Sequence, residues 1–206
     1  MIIEQYGVKL KRLEIGDIEI VRKWRNHTEI KRTMNFQKYI TRQMQLDWFN
    51  SINNKYNYYF LIIYDQIPIG MINAKDISLN EFTGEGGIFI GEKKKEYELI
   101  SVYASLSLLN VVFKVLNYFE KSVIQVRKDN PKAISYNSLL GYNINKEKST
   151  DEIYFFELTR EGYFSHTERL NKTAQKLTGD FAEPRIKGIY SDDLFLEVFK
   201  KVLKVN

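Results

Sequence analysis

The chain has 206 residues, 44% apolar and 28% charged, with a net charge of +5, values that fit one medium soluble domain with an appendage. It contains no cysteine, which excludes disulfides, thiolate metal sites and thiol nucleophiles. Its two histidines, His27 and His166, lie far apart, so no metal is expected.

The modest positive charge attracts anionic ligands weakly. The clearest cluster, Lys93-Lys94-Lys95, is followed by Glu96 and Glu98, a mixed patch that argues against nucleic-acid binding. No apolar run approaches the roughly 18 residues a membrane span needs. The N-terminus carries Glu4 and lacks the apolar core of a signal peptide, so a cytoplasmic protein is expected.

In chain order, Val8 to Leu13 alternates apolar and basic residues, a short strand. Asp17 caps a predicted helix to Asn26, with Ile20, Val21 and Trp24 on one face. Thr41 caps a second, with Leu46, Trp48, Phe49 and Ile52. Tyr58 to Tyr64 is aromatic and β-branched throughout, a strand. Asp65-Gln66 is a two-residue turn, and Ile67 to Ile77 returns, with Pro68 suited to a strand start and Gly70 to close backbone approach. Gly86 to Ile90 is a third strand. Leu99, Val102, Leu106, Leu109, Phe113 and Leu116 step by three and four, and Leu108, Val111, Val112 and Val115 add a second stripe, so this long helix packs centrally. Ser122 to Arg127 is a strand. Pro131 opens a short helix that Gly141 stops. Tyr142 to Asn145 and Ile153 to Leu158 are the last strands, and the order predicts a mixed α/β sheet. From Thr159 the pattern is helical. One helix ends at Gly179, a linker covers 180–188, and Ser191 caps a final helix with Asp192 and Asp193 at its start and Lys200, Lys201 and Lys204 near its end.

Several segments, in order, resemble the GNAT N-acetyltransferases over residues 6–158, leaving 159–206 as a helical C-terminal extension. Trp24-Arg25-Asn26-His27 resembles the segment that closes the first helix in the branch acting on ribosomal-protein N-termini or nucleotide-linked amino sugars. Thr41 to Trp48 resembles Thr-x-x-x-His-x-x-Trp, with Gln45 in the His place. Asp65 to Gly70 resembles the hairpin Asp-Gly-x-x-Ile-Gly, with Gln66 for the first Gly. Phe89-Ile90-Gly91-Glu92 resembles the end of the splayed central strand, and Asn130-x-x-Ala133 through Gly141-Tyr142 the segment Asn-x-x-Ala/Ser…Gly-Phe. Arg25-Asn26-His27, Tyr58 to Leu61 and Asn130 to Ile134 resemble most the acetyltransferases of pseudaminic acid biosynthesis, which act on a UDP-linked amino sugar.

The resemblance implies a GNAT-like mixed, splayed sheet flanked by helices, acetyl-CoA as acyl donor and a small primary amine as acceptor. The main chain of Phe89, Ile90 and Gly91 would pair with the pantetheine arm as an added strand does, a reading the resemblance favours over simple pairing with a neighbouring strand. Lys94, Lys95, Tyr97, Glu98 and Leu99 correspond to the pyrophosphate loop, and Asn130 and Asn137 line the arm, Asn130 also suiting a helix cap. Arg25, Asn26 and Met34 fall in the substrate site, where Arg25 would reach acidic substrate or phosphate, Arg25 also suiting a structural ion pair. For the proton from the amine, Glu85, Glu92 and His27 are candidate bases, against roles as solvated acids and as a histidine satisfied by helix-end carbonyls.

Two departures matter. The family's phosphate loop is glycine-rich so that backbone N–H groups approach the phosphates, whereas Lys93 to Leu99 has no glycine and includes Glu96 and Glu98. The position of the tyrosine that protonates the leaving thiolate holds Asn137, and Tyr136 sits one residue earlier, about 100° round the helix; either the helix is shifted and Tyr136 serves, or the role is empty. The alternative to an active enzyme is therefore a degenerate GNAT domain that binds a ligand or partner. Tyr163, Phe164, Leu170 and Leu177, then Leu194, Phe195, Val198, Phe199 and Val202, give the C-terminal helices apolar faces that cover the domain or join two copies as a homodimer.

Overall fold

The computed structural model describes residues 1–189, 193, 194, 196–198 and 200. Among the described residues, nine strands form one sheet: β1 (Ile2–Gln5), β2 (Val8–Arg12), β3 (Tyr58–Tyr64), β4 (Ile67–Ser78), β5 (Thr83–Ile90), β6 (Lys121–Arg127), β7 (Asn143–Asn145), β8 (Ile153–Thr159) and β9 (Arg185–Lys187). Their spatial order is β7-β8-β6-β5-β4-β3-β2-β1-β9. Every neighbouring pair is antiparallel except β5–β6, which is parallel. The helices are α1 (Ile18–Asn26), α2 (Thr28–Lys31), α3 (Arg42–Ile52), α4 (Tyr97–Asn110), α5 (Pro131–Leu139), α6 (Arg160–Gly162) and α7 (Glu168–Thr178).

The hairpin from β3 to β4 follows from its turn: Asp65 and Gln66 both take positive φ, 48° and 63°, the primed geometry that matches strand twist. Pro68 lies where the register shifts between Ile62 and Ile63, a bulge that tolerates its missing N–H. A Cβ on Gly70 would lie 2.4 Å from the Phe89 carbonyl oxygen, so the expected close approach is real. The Thr41 hydroxyl caps α3 by accepting the Met44 N–H at 3.2 Å.

Two apolar clusters sandwich the sheet. Val21, Trp24 and Phe49 from α1 and α3 pack with Tyr59, Leu61 and Met71 on one face. On the other, α4 supplies Ile100, Tyr103, Leu106 and Leu109 to the larger core. Each such side chain contributes about 1.5–3 kcal/mol on full burial. The helical stretch Tyr97–Val115 is long and apolar enough to cross a bilayer, contrary to the run-length reading, and is mostly buried inside the fold. Its last turn, Val111–Val115, is π-helical.

Several elements differ from expectation. Residues 2–5 form a strand where none was predicted, and β5 begins at Thr83 rather than Gly86. The predicted linker contains β9, which pairs with β1 through Ile2–Lys187, Ile3–Ile186 and Glu4–Arg185. A period-2 signal cannot show in three residues, so pairing with β1 makes this strand. The helix predicted from Thr159 is divided into α6, a π-helical turn at Tyr163–Thr167 and α7. Tyr163 is fully buried and its hydroxyl donates to Asn110 Oδ1 on α4. Asn110 also donates to Gln5 at 2.9 Å and Asn171 at 3.0 Å, so buried polar groups of α4, β1 and α7 satisfy one another. Leu194 and Val198 are buried in the main core, and Asp193 accepts the Tyr58 hydroxyl and lies 3.5 Å from Arg12. Ser191, Asp192, Phe195, Phe199, Lys201, Val202 and Lys204 lie outside the described residues.

Candidate active site

β5 and β6 pair only from Thr83–Lys121 to Glu85–Val123 and then part. A central strand covered on both sides would be buried, yet all eight residues of β5 are half-buried. The opening leads into a cavity of about 1750 Å³ bounded by α1, α3, α4 and α5. That exceeds the roughly 300–1,000 Å³ of a pocket for one small ligand, so there is room for two reactants.

Gly91 donates its N–H to the Ile69 carbonyl at 2.7 Å. Antiparallel alternation then directs the main-chain groups of Phe89 and Gly91 toward β4 and those of Ile88 and Ile90 into the gap. Of Phe89, Ile90 and Gly91, Ile90 alone turns its main chain into the gap, and Ile88 joins it. Phe89 meets the Trp24 ring edge to face at 6.3 Å. Gly91 is glycine for a packing reason: a Cβ would stand 2.2 Å from the Trp24 ring.

At the mouth, the N–H groups of Tyr97, Glu98 and Leu99 turn back to the carbonyls of Lys94, Lys95 and Glu96 at 3.1, 3.2 and 3.1 Å. The turn starts before α4, and the backbone donors left facing outward precede Tyr97. Glu98 is paired with Lys132 at 2.6 Å, which lowers its pKa, and Glu96 lies 4.0 Å from Lys94. Each carboxylate that seemed to oppose phosphates thus has a lysine beside it. Lys95 has no ion pair among the described residues. Tyr97 is buried against Tyr64 and acts as core, whereas Leu99 is 48% exposed at the rim.

Asn130 caps α5 through its Oδ1, which accepts the Ala133 N–H at 3.1 Å, and also lines the cavity. Asn137 turns its Nδ2 back to the Ala133 carbonyl at 2.9 Å. Tyr136 reaches α4, where its hydroxyl donates to the Ser101 carbonyl at 2.8 Å and shares a 2.8 Å bond with Ser105. Burial pushes its pKa up to about 12. Below Gly86, where the strands part, the Tyr142 and Ser122 hydroxyls bond at 2.8 Å. This pair was not among the expected site residues. The signal was the run Gly84-Glu85-Gly86-Gly87, since glycines in a strand mark close approach.

On the α1–α3 side, Arg25 and Met34 line the cavity. Asn26 does not: its Nδ2 donates to the Ile40 carbonyl and its Oδ1 accepts the Ile40 N–H, both at 2.8 Å. It clamps the loop 33–40 instead of facing a ligand. His27 is exposed between α1 and α2 and lies off the cavity. Glu85 is held by Lys75 at 3.0 Å and Gln125 at 3.1 Å, and Glu92 accepts the Trp24 indole N–H at 2.8 Å. Arg25 has no ion pair among the described residues, contrary to the structural alternative.

A parallel strand pair opened over a cavity, with a helix running from the opening, is the arrangement of the GNAT N-acetyltransferases. Among solved structures, apo FdhC, a nucleotide-linked sugar GNAT, superposes with a TM-score of 0.68 at 24% identity, over 84% of this chain and 97% of its own. The spermidine N-acetyltransferase of Vibrio cholerae in complex with CoA and spermine gives 0.64 at 17%, over 77% and 98%. A domain from Methanocaldococcus jannaschii gives 0.63 at 21%, over 74% and 97%. No family model and no curated protein matches the sequence. The chain has the GNAT acetyltransferase fold.

Proposed function

We propose that the protein is an acetyl-CoA-dependent N-acetyltransferase acting on a small primary amine, with a nucleotide-linked amino sugar as the acceptor class. The observation that carries this is the gap beyond Glu85–Val123, which frees the main chain of Ile88 and Ile90 beside a cavity large enough for two reactants. The acceptor class draws support from the likeness to FdhC, a nucleotide-linked sugar GNAT.

In this reading the pantetheine arm adds to β5 through Ile88 and Ile90, with Asn130 Nδ2 beside it. Lys94, Lys95 and the backbone N–H groups before Tyr97 take the phosphates. The amine lone pair attacks the thioester carbonyl carbon, the C–S bond breaks and the amide C–N bond remains. Holding both reactants together supplies much of the rate gain. Glu85, kept beside Lys75, receives the amine proton through water, and Tyr136 gives its proton to the departing thiolate. A phenol raised to about 12 keeps that proton at neutral pH. His27, off the cavity, carries no step.

Calorimetric titration with acetyl-CoA and with CoA tests the reading. Micromolar binding, followed by acetyl transfer to a UDP-linked amino sugar, is expected. No binding at about millimolar coenzyme overturns it in favour of a domain that binds a partner without catalysis.

A further inference from the structure

The cavity is lined by four carboxylates, Glu29, Glu85, Glu92 and Glu98, and each is already engaged. Glu29 pairs with Lys93 at 2.8 Å, Glu85 with Lys75 at 3.0 Å and Glu98 with Lys132 at 2.6 Å, while Glu92 accepts from Trp24. On the same cavity two buried donor atoms, Nε of the half-buried Arg25 and Nε2 of Gln45, have no hydrogen-bond partner among the described residues. Gln45 is only 3% exposed. Desolvation lowers the Arg25 pKa, and the Tyr59 phenol opposes it only weakly. Tyr59 packs edge to face on Trp48 at 5.1 Å, and Trp48 is three residues after Gln45 on α3, the spacing that puts both on one face. Both orphan donors therefore lie on the α1–α3 side of the cavity, the side that Tyr59 and Trp48 pack against.

A buried donor without a partner costs free energy, and a buried cation without a counter-charge costs more. Such a group persists where a ligand completes it. We propose that Arg25 and Gln45 form an anion subsite in the acceptor half of the cavity, which selects an amine carrying a phosphate or carboxylate oxygen. The inference deepens the acetyltransferase reading and rests on it for the word acceptor. A polyamine is the poorer ligand here, because its ammonium groups would meet Arg25 and three of the four carboxylates are already paired with lysines.

The test uses the full chain, calorimetry, and three probes: UDP for the phosphate source, glycylglycine for the carboxylate source, and spermine. Arg25→Met and Gln45→Leu keep the side-chain volume while removing the orphan donors, and each keeps its fold by circular dichroism. One anionic probe binds the parent, and Arg25→Met weakens it by about 30-fold, the loss of one charge-assisted bond pair. Gln45→Leu weakens it by about 5-fold, and acetyl-CoA affinity stays within about twofold in both variants. Whether UDP or glycylglycine shows the dependence names the source. Binding of UDP that ignores Arg25→Met places it on the coenzyme loop and overturns the subsite. So does the absence of binding by both anionic probes at roughly 10 mM, or tighter binding of spermine than of either. The acetyl-CoA titration of the parent separately decides the acetyltransferase reading, so the two failures are distinguishable.

Discussion

Alanine at position 91 puts a methyl group inside the Trp24 indole. The added Cβ would stand 2.2 to 2.4 Å from three ring atoms, and the ring, 6% exposed and bonded to Glu92 at 2.8 Å, must move to admit it. Overpacking of this kind costs about 1–3 kcal/mol, and losing the indole bond to Glu92 adds about 1 kcal/mol. A total of about 3 kcal/mol lowers the melting temperature of a chain this size by roughly 6–12 °C. Trp24→Ala alone costs about 3–5 kcal/mol through the cavity it leaves. In that background the methyl group has room, so Gly91→Ala costs less than about 0.5 kcal/mol. Urea denaturation of the parent, both single variants and the double variant measures this cycle. Additive costs within about 0.5 kcal/mol would refute the claim that Trp24 is the reason for Gly91. Because Trp24 precedes Arg25 on α1, the single variant also weakens binding in the acceptor half.

Tyr136→Phe reduces turnover by about 10²-fold without changing acetyl-CoA affinity; turnover equal to the parent removes Tyr136 as the acid. Because burial holds that phenol at about 12, it stays protonated well above neutrality, and the parent rate shows no alkaline loss from this group below about pH 10. Asn26→Ala removes two bonds to Ile40, costs about 1–3 kcal/mol and speeds hydrogen exchange in the loop 33–40; unchanged exchange would show that other contacts hold the loop. Asp180 accepts from Tyr6 N–H at 2.9 Å and pairs with Arg185 at 3.2 Å. Desolvation raises its pKa, but the bonds from Arg185, Tyr6 and Ala182 outweigh it and the net shift is downward. Its stabilisation is therefore full above the unfolded value of about 3.9 and is lost as pH falls through the lower folded value. Asp180→Asn flattens the acid side of a melting-temperature profile, and parallel profiles for parent and variant would count against it.

Much of the fold was legible along the chain. The unbroken aromatic and β-branched run of β3, the two apolar stripes of α4, and Asn130-Pro131 with Gly141 around α5 are each set by local propensity or period, which a sequence carries in neighbouring residues. The hairpin turn at Asp65-Gln66 was legible for the same reason. So was the sense that Gly70 admits a close backbone, although its partner, Phe89, was not.

Tertiary structure decided the rest. Strand β9 is too short to show a period and exists because it pairs with the free edge of β1, itself already paired with β2, across more than half the sequence. The parting of β5 from β6 after Glu85 and Val123 is a choice between pairings of distant segments. It alone determines that Ile88 and Ile90, rather than Phe89 and Gly91, turn their main chain into the gap. Asn26 and Arg25, adjacent in sequence and assigned one site, separate because one finds the Ile40 main chain and the other leaves its Nε without a partner among the described residues. The residue type supplies the donors; whether they are satisfied depends on which groups the fold brings within about 3 Å.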